Sequence, residues 1–294
     1  MQNNKAEAIG DYAEANGGGI YNIRGTTNIN NNTIQKNAAN AIAPYYNAYA
    51  CGGGIYNYNA ELTMNNNILQ DNIAQSNAPL NQAYSRGGGI YQQGGITQIS
   101  SNTIQRNNAT STNGDAQGGG IYKYSGSLTI NNSRIQTNTA TSTNGDAKGG
   151  GIYNNQSNTI INSSIIQNNT NYAFATENPV YSLGGGIYNE SGTFIINCSS
   201  INDNAANAEG DSTLFVYGGG IYNNDGNLTV NKSTIKNNKL MATGTISNVD
   251  AGGIYNESGI ITVLLVIGIN KYTITHYLTW IFFTIGGGLI ILNF

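Results

Sequence analysis

Apolar residues recur along this chain on two scales. Within short stretches they alternate with polar ones: in "SLTINNS" (residues 127–133) Leu128 and Ile130 are separated by one residue, the spacing of a strand with one side turned to a core. Over longer distances such a stretch returns every 31 to 35 residues, each time behind "GGGIY" or a near copy of it. Take the isoleucine of that motif as position 0: Ile20, Ile55, Ile90, Ile121, Ile152, Ile187, Ile221 and Ile254. Position +1 is then always Tyr, from Tyr21 to Tyr255, and +9 is Ile29, Met64, Ile99, Ile130, Ile161, Ile196, Val230 and Val263. Position +14 is Ile or Leu from Ile34 to Ile235, and +17 is Asn in seven successive units, from Asn37 to Asn238. Variation in length falls between about +20 and the next glycines. Each unit is thus a fixed core followed by one variable loop.

A period in this range also suits helical repeats, but three consecutive glycines cost about 1 kcal/mol each inside a helix. Short strands in a rigid register predict a solenoid instead, one coil per unit. Equivalent residues then stack ~4.8 Å apart on successive coils. Isoleucines at 0, +9 and +14 build apolar ladders, and asparagines pass amide hydrogen bonds from coil to coil. Alternation turns Ile at 0 inward and Tyr at +1 outward. Asn at +10 and +17 suits turns, where it tolerates a left-handed backbone, and the glycines permit a sharp bend and close packing of coil on coil. At +16, Lys36, Asp71 and Arg106 alternate in sign on consecutive coils, which predicts ion pairing on the outside. The fold class expected is all-β, a right-handed parallel β-helix of about eight coils with one variable loop per coil.

Composition agrees. Only 9% of residues are charged, because like charges stacked ~4.8 Å apart repel by roughly 0.9 kcal/mol even in water. A net charge of −3 with no basic cluster argues against nucleic acid as a partner. Cys51 and Cys198 belong to coils four rungs apart, about 19 Å along the axis, too far for a disulfide. The N-terminal "MQNNKAEAIG" lacks the basic and apolar runs of a signal peptide.

"GGGI" followed by "IQKN" (residues 34–37) or "IQRN" (residues 104–107) resembles the paired GG[A/G][I/L/V] and FxxN signatures of chlamydial polymorphic outer membrane protein repeats, with Ile where those have Phe. The wider pattern is similar to right-handed parallel β-helix proteins of the pectin-lyase-like superfamily. The resemblance covers residues 1–263 and implies a passenger displayed at the cell surface or outer membrane, or secreted, often adhesive and without attached chemistry. The usual companions, a signal peptide and a C-terminal barrel, are not seen in the sequence.

Both ends depart from the pattern. Met1, Gln2 and Asn4 fall at +14, +15 and +17, so the chain starts in mid-coil. Residues 264–294 form an apolar tail that holds His276 and Trp280, the chain's single His and single Trp. Its last 18 residues, "YLTWIFFTIGGGLIILNF", carry no charge. A cap on the last coil, a membrane-associated segment and a frame-shifted end remain alternatives. Open solenoid ends expose strand edges and apolar rungs, which predicts end-to-end self-association.

No histidine lies in the repeats to serve a nucleophilic triad, and no Cys/His cluster suits zinc. No catalytic residue, metal or cofactor is assigned. In the pectin-lyase-like group, acidic clusters on neighbouring coils cleave polysaccharides. The nearest equivalent is Glu190, Asp225 and Glu257, at +3, +4 and +3 on the last coils, a set that would bind Ca²⁺ or serve as a glycosidase pair. "NESG" and "NDGN" are equally ordinary solvated turns. Asp115 and Asp146 sit in identical "ATSTNGDA" loops on adjacent coils, a second candidate for holding a cation. The expectation is a non-enzymatic surface or secreted β-helix, adhesin-like or structural, whose partner is a host or cell-surface protein or a glycan. The alternatives are a carbohydrate-active lyase or hydrolase, and a fragment of a larger surface protein without a function of its own.

Overall fold

The computed structural model describes residues 1–176, 178–264, 280–285 and 288–293, the last two segments as backbone only. Among these residues the chain is all strand and turn, wound into a parallel solenoid of about eight coils. Sheet I holds the strands headed by position 0, Ile20–Ile23 through Ile254–Asn256. Sheet II carries +9, from Thr26–Asn30 through Ile260–Leu264, and sheet III carries +14, from Thr33–Gln35 through Thr234–Lys236. Each strand pairs parallel with its counterpart one coil on: Ile20 on Ile55, Ile99 on Ile130, Ile104 on Ile135. Lys5–Ile9 pairs with Ala38–Ile42 and Gln2 bridges to Gln35. At the other end Trp280–Ile285 extends sheet II in parallel, and Gly288–Asn293 returns antiparallel beside it. The stretch between residues 264 and 280, with His276, lies outside the described residues. No helix among the described residues is long and apolar enough to cross a membrane.

Positions 0, +7, +9 and +14 make one continuous aliphatic core, in which Ile55, Leu62, Met64 and Leu69 are at most 1% exposed. Each such burial contributes about 1.5–3 kcal/mol. Two inward rows of polar residues line the corners. At +17, Oδ1 of Asn72 accepts from the backbone N–H of Asn37 at 3.1 Å and from its Nδ2 at 2.9 Å. Nδ2 of Asn72 donates to the Ile34 carbonyl at 3.1 Å, and the set repeats to Asn238. At +12, side-chain oxygens of Asn102, Ser133, Ser164, Ser199 and Ser233 each accept the backbone N–H of the preceding coil at 2.7–3.1 Å. These rows satisfy corner backbone groups that water cannot reach.

At the two corners flanking sheet III the left-handed residues are at +11 and +16, not at +10 and +17: Asn66 has φ 56° and Asp71 has φ 57°. The bend is made by the outward corner residue, and its inward neighbour caps it. Arg106 pairs with Asp71 through Nε and a terminal nitrogen at 2.7 and 3.0 Å, while Lys36 makes no ion pair among the described residues. Cys51 and Cys198 are both free thiols.

Tyrosines at +1 point away from the aliphatic core, as alternation requires, yet Tyr56, Tyr91, Tyr122, Tyr153, Tyr188 and Tyr222 are only 3–8% exposed. The glycines fold the chain back so tightly that the residue just before them, Cys51 or Leu183 for example, packs on the rings. Gly52 takes φ +65°, and a Cβ on Gly53 would stand 2.3 Å from the Ile73 carbonyl oxygen and 2.6 Å from that of Gly88.

The segment expected to be a loop is strand for most of its length. In sheet IV, outbound strands such as Ala38–Ile42 and return strands such as Ala48–Cys51 stack on their counterparts. They pack on each other through Ala39, Ala41, Ala48 and Ala50, all fully buried. Only the tips, such as residues 43–47, are irregular, and in Ala205–Tyr217 and Lys239–Asp250 the tip is strand as well.

Among the described residues, one ionisable side chain stands inside the tube. At +2, Asn57, Gln92, Lys123 and Asn154 all point inward and are at most 1% exposed. Nζ of Lys123 donates to the Ser125 carbonyl, and its neighbours in the row, Gln92 and Asn154, are neutral. Burial pushes the Lys123 amine down to about 7.

Gly53→Val should cost about 3 kcal/mol in chemical denaturation, while Tyr45→Ala, at an exposed tip position, should leave the midpoint unchanged; equal midpoints would refute the close-packing role of Gly53. For Lys123, the unfolded amine keeps its proton up to about pH 10.4 and the folded one releases it near 7. Between those values the unfolded chain binds more protons, so stability should rise with pH, by up to about 1.4 kcal/mol per unit, and stay flat below 7. Lys123→Asn should abolish that slope and raise the midpoint at pH 7.

Candidate functional site

The return strands of sheet IV carry one outward column at the sixth residue before each isoleucine: Glu14, Tyr49, Tyr84, Asp115, Asp146, Tyr181, Phe215 and Asn248. Their order along the tube follows from the register, which sets Tyr84 on Tyr49, Ala116 on Ser85, Ala147 on Ala116, and Tyr181 on Phe215. Two acidic residues therefore occupy the middle of a row with an aromatic pair on either side. Tyr49 and Tyr84 stack at 5.2 Å between centroids and Tyr181 and Phe215 at 4.6 Å. Tyr181 is 38% exposed and its partners in the column are partly so. Beside Tyr84 a groove of about 380 Å³ opens between the loop tips, lined by Asn81, Gln82, Asn113, Asp115 and Asn144 among others.

The structure brings Asp115 and Asp146 together, with an ammonium between them. Nζ of Lys148 lies 2.8 Å from Asp146 and 3.7 Å from Asp115. Asp115 Oδ1 accepts the backbone N–H of Asp146 at 3.2 Å, and Asp146 Oδ1 accepts that of Tyr181 at 2.9 Å. Burial raises the Asp115 carboxyl above the ordinary range, against the pull of Lys148. Burial would push the Lys148 ammonium down, but Asp115 and Asp146 hold it above the usual lysine value. Arg86, two residues after Tyr84 on the same strand, lies against Tyr49, Tyr84 and Tyr122 at 5.0–5.8 Å from the ring centroids. Its Nε donates to Gln117 at 3.1 Å.

Of the three acidic residues Glu190, Asp225 and Glu257, Asp225 gives its backbone N–H to the Glu190 carbonyl at 2.9 Å. Glu190 accepts the hydroxyl of Tyr153 and Glu257 that of Tyr222, and Asp225 is exposed. No group of three His, Cys, Asp or Glu side chains placed to hold a metal ion occurs among the described residues. The aromatic members of the row escape a count made forward from each isoleucine, since they follow the segment of variable length. Counting backward from the glycines aligns them. No protein-family model matches the chain, and neither a curated protein nor a solved structure matches it significantly.

Lys148→Met should cost about 3 kcal/mol at neutral pH, since it leaves two carboxylates without their counterion, and adding Asp115→Asn should restore part of the loss. Strictly additive effects in denaturation would mean that the ammonium does not hold the pair together.

Proposed function

We propose that this chain is a non-enzymatic β-helix, displayed at a cell surface or secreted, that attaches to glycans through the aromatic and acidic row of sheet IV. The observation that carries this is the straight outward column in which Tyr49 and Tyr84 precede, and Tyr181 and Phe215 follow, the Asp115–Asp146–Lys148 group. Aromatic faces pack on the apolar faces of sugar rings, and their polar edges stay wet. The amides of Asn81, Gln82, Asn113 and Asn144 around the groove supply donors and acceptors for hydroxyls. A tube of parallel coils holds such a row rigid and needs no ligand to order it. The resemblance of the repeats to polymorphic outer membrane protein and pectin-lyase-like sequences supports a passenger at the cell exterior.

The alternative, a polysaccharide-cleaving enzyme, is favoured by one feature. Asp115 borders the groove with a raised carboxyl beside a second carboxylate, the contrast that glycosidases exploit.

Screening the purified chain against immobilised glycans should find ligands that Tyr84→Ala and Tyr181→Ala each weaken about tenfold, the loss of a stacking contact worth some 1.4 kcal/mol, with the circular dichroism spectrum unchanged. Binding insensitive to both substitutions, or none to any glycan, would overturn the proposal. Release of reducing ends that stops in Asp115→Asn would favour the enzyme.

A further inference from the structure

Three asparagines of the chain are followed by glycine: Asn16–Gly17, Asn113–Gly114 and Asn144–Gly145. In such a pair the glycine nitrogen can attack the side-chain carbonyl carbon of the asparagine before it and close a five-membered ring, because no Cβ on the second residue stands in the way. The fold treats the three pairs differently. Asn16 ends a return strand, where Gly17 gives its N–H to the Cys51 carbonyl at 3.0 Å. The buried Oδ1 of Asn16 accepts no hydrogen bond. Asn113 and Asn144 lie at neighbouring tips of sheet IV, half-buried, with φ of 62° and 57°. Among the described residues neither Gly114 nor Gly145 gives its N–H to a protein acceptor.

The side-chain carbonyls differ as well. Oδ1 of Asn113 accepts from one donor, Nδ2 of Asn144 at 3.1 Å. Oδ1 of Asn144 accepts from two, the backbone N–H of Thr176 at 3.0 Å and the Thr176 hydroxyl. Two donors on one carbonyl oxygen stabilise the oxyanion that forms when a nucleophile adds to the carbon. Packing imposes the glycines: a Cβ on Gly114 would stand 2.0 Å from the Ala83 carbonyl oxygen, and one on Gly145 2.4 Å from that of Gly114.

We propose that Asn144, and more slowly Asn113, are self-modifying residues that lose ammonia through a succinimide and become acidic. The step balances. The Gly145 nitrogen bonds to Cγ of Asn144, the Cγ–Nδ2 bond breaks, and Nδ2 leaves as ammonia with the proton of the Gly145 N–H. Water then adds to either ring carbonyl. The C–N bond there breaks, leaving a carboxyl group and returning a proton to the nitrogen. One opening gives aspartate, and the other gives isoaspartate with the backbone routed through the side chain. A carboxylate at 144 has no hydrogen to give Asn113, and it adds a charge to the groove wall that Asp115 already borders.

The test is incubation of the whole folded chain in mildly alkaline buffer, with proteolytic peptides followed by mass spectrometry. Peptides holding Asn144 should gain the mass of an amide-to-acid exchange about tenfold faster than those holding Asn16, with Asn113 between them. In urea, where the three pairs meet the same solvent, this order should vanish. Thr176→Val removes the hydroxyl donor at an exposed position and should slow Asn144 about tenfold while Asn113 keeps its rate. Equal rates at the three pairs in the folded chain would overturn the proposal. So would an Asn144 that converts more slowly folded than in urea, or one that Thr176→Val leaves as fast as in the parent chain.

Discussion

In the coils of this chain a side chain's nearest neighbour is its own counterpart, ~4.8 Å away on the next rung. Each residue type is therefore selected by how it behaves beside its like. Isoleucine packs on isoleucine, an amide donates to one copy of itself and accepts from another, and phenol rings stack. Carboxylates and ammonium groups repel their copies, so the charged residues stand in mixed company. Arg106 lies on Asp71, Lys148 joins Asp115 to Asp146, and Lys123 stands alone among neutral residues in its row. The same spacing admits the glycines, whose neighbours' carbonyl oxygens leave no room for a Cβ.

Much of this was legible in the sequence because the ladder residues keep step from the isoleucine forward. The aliphatic rows at 0, +9 and +14 and the amide row at +17 lie where the count places them. Three things escaped. The bends lie at +11 and +16, since a corner is marked by its inward cap, whose identity is fixed, more than by the outward residue that turns. The alanines of sheet IV escaped because two strands approaching this closely need small side chains, and an alternation of Ala with polar residues is a weak apolar signal. The exposed row of Tyr49, Tyr84, Tyr181 and Phe215 escaped because its register is kept from the following glycines, behind tips of changing length. Acidic residues were legible as types and as neighbours, but not as partners. Nothing in the spacing showed that Glu190 and Glu257 would meet buried hydroxyls, or that Lys148 would lie against Asp115 and Asp146.

Two outward columns thus run side by side, set by two residues of the same repeat. The one before the glycines carries aromatic rings and charges partly open to solvent, beside a groove of amides. The one after them is shut in by the fold-back of the chain. A half-open row and a covered stack of rings arise from one glycine bend, because the bend decides which outward positions water reaches.

The +12 row has a consequence for how such a tube changes in size. Each coil closes by giving its backbone N–H to an oxygen on the next, and Asn102 and Ser133 serve equally well as that oxygen. Junctions are thus interchangeable, and a whole turn can be excised or duplicated while every remaining joint keeps its chemistry. The "ATSTNGDA" segments on adjacent coils are identical, the form that such a duplication would take. The tube's length therefore changes in steps of one rung.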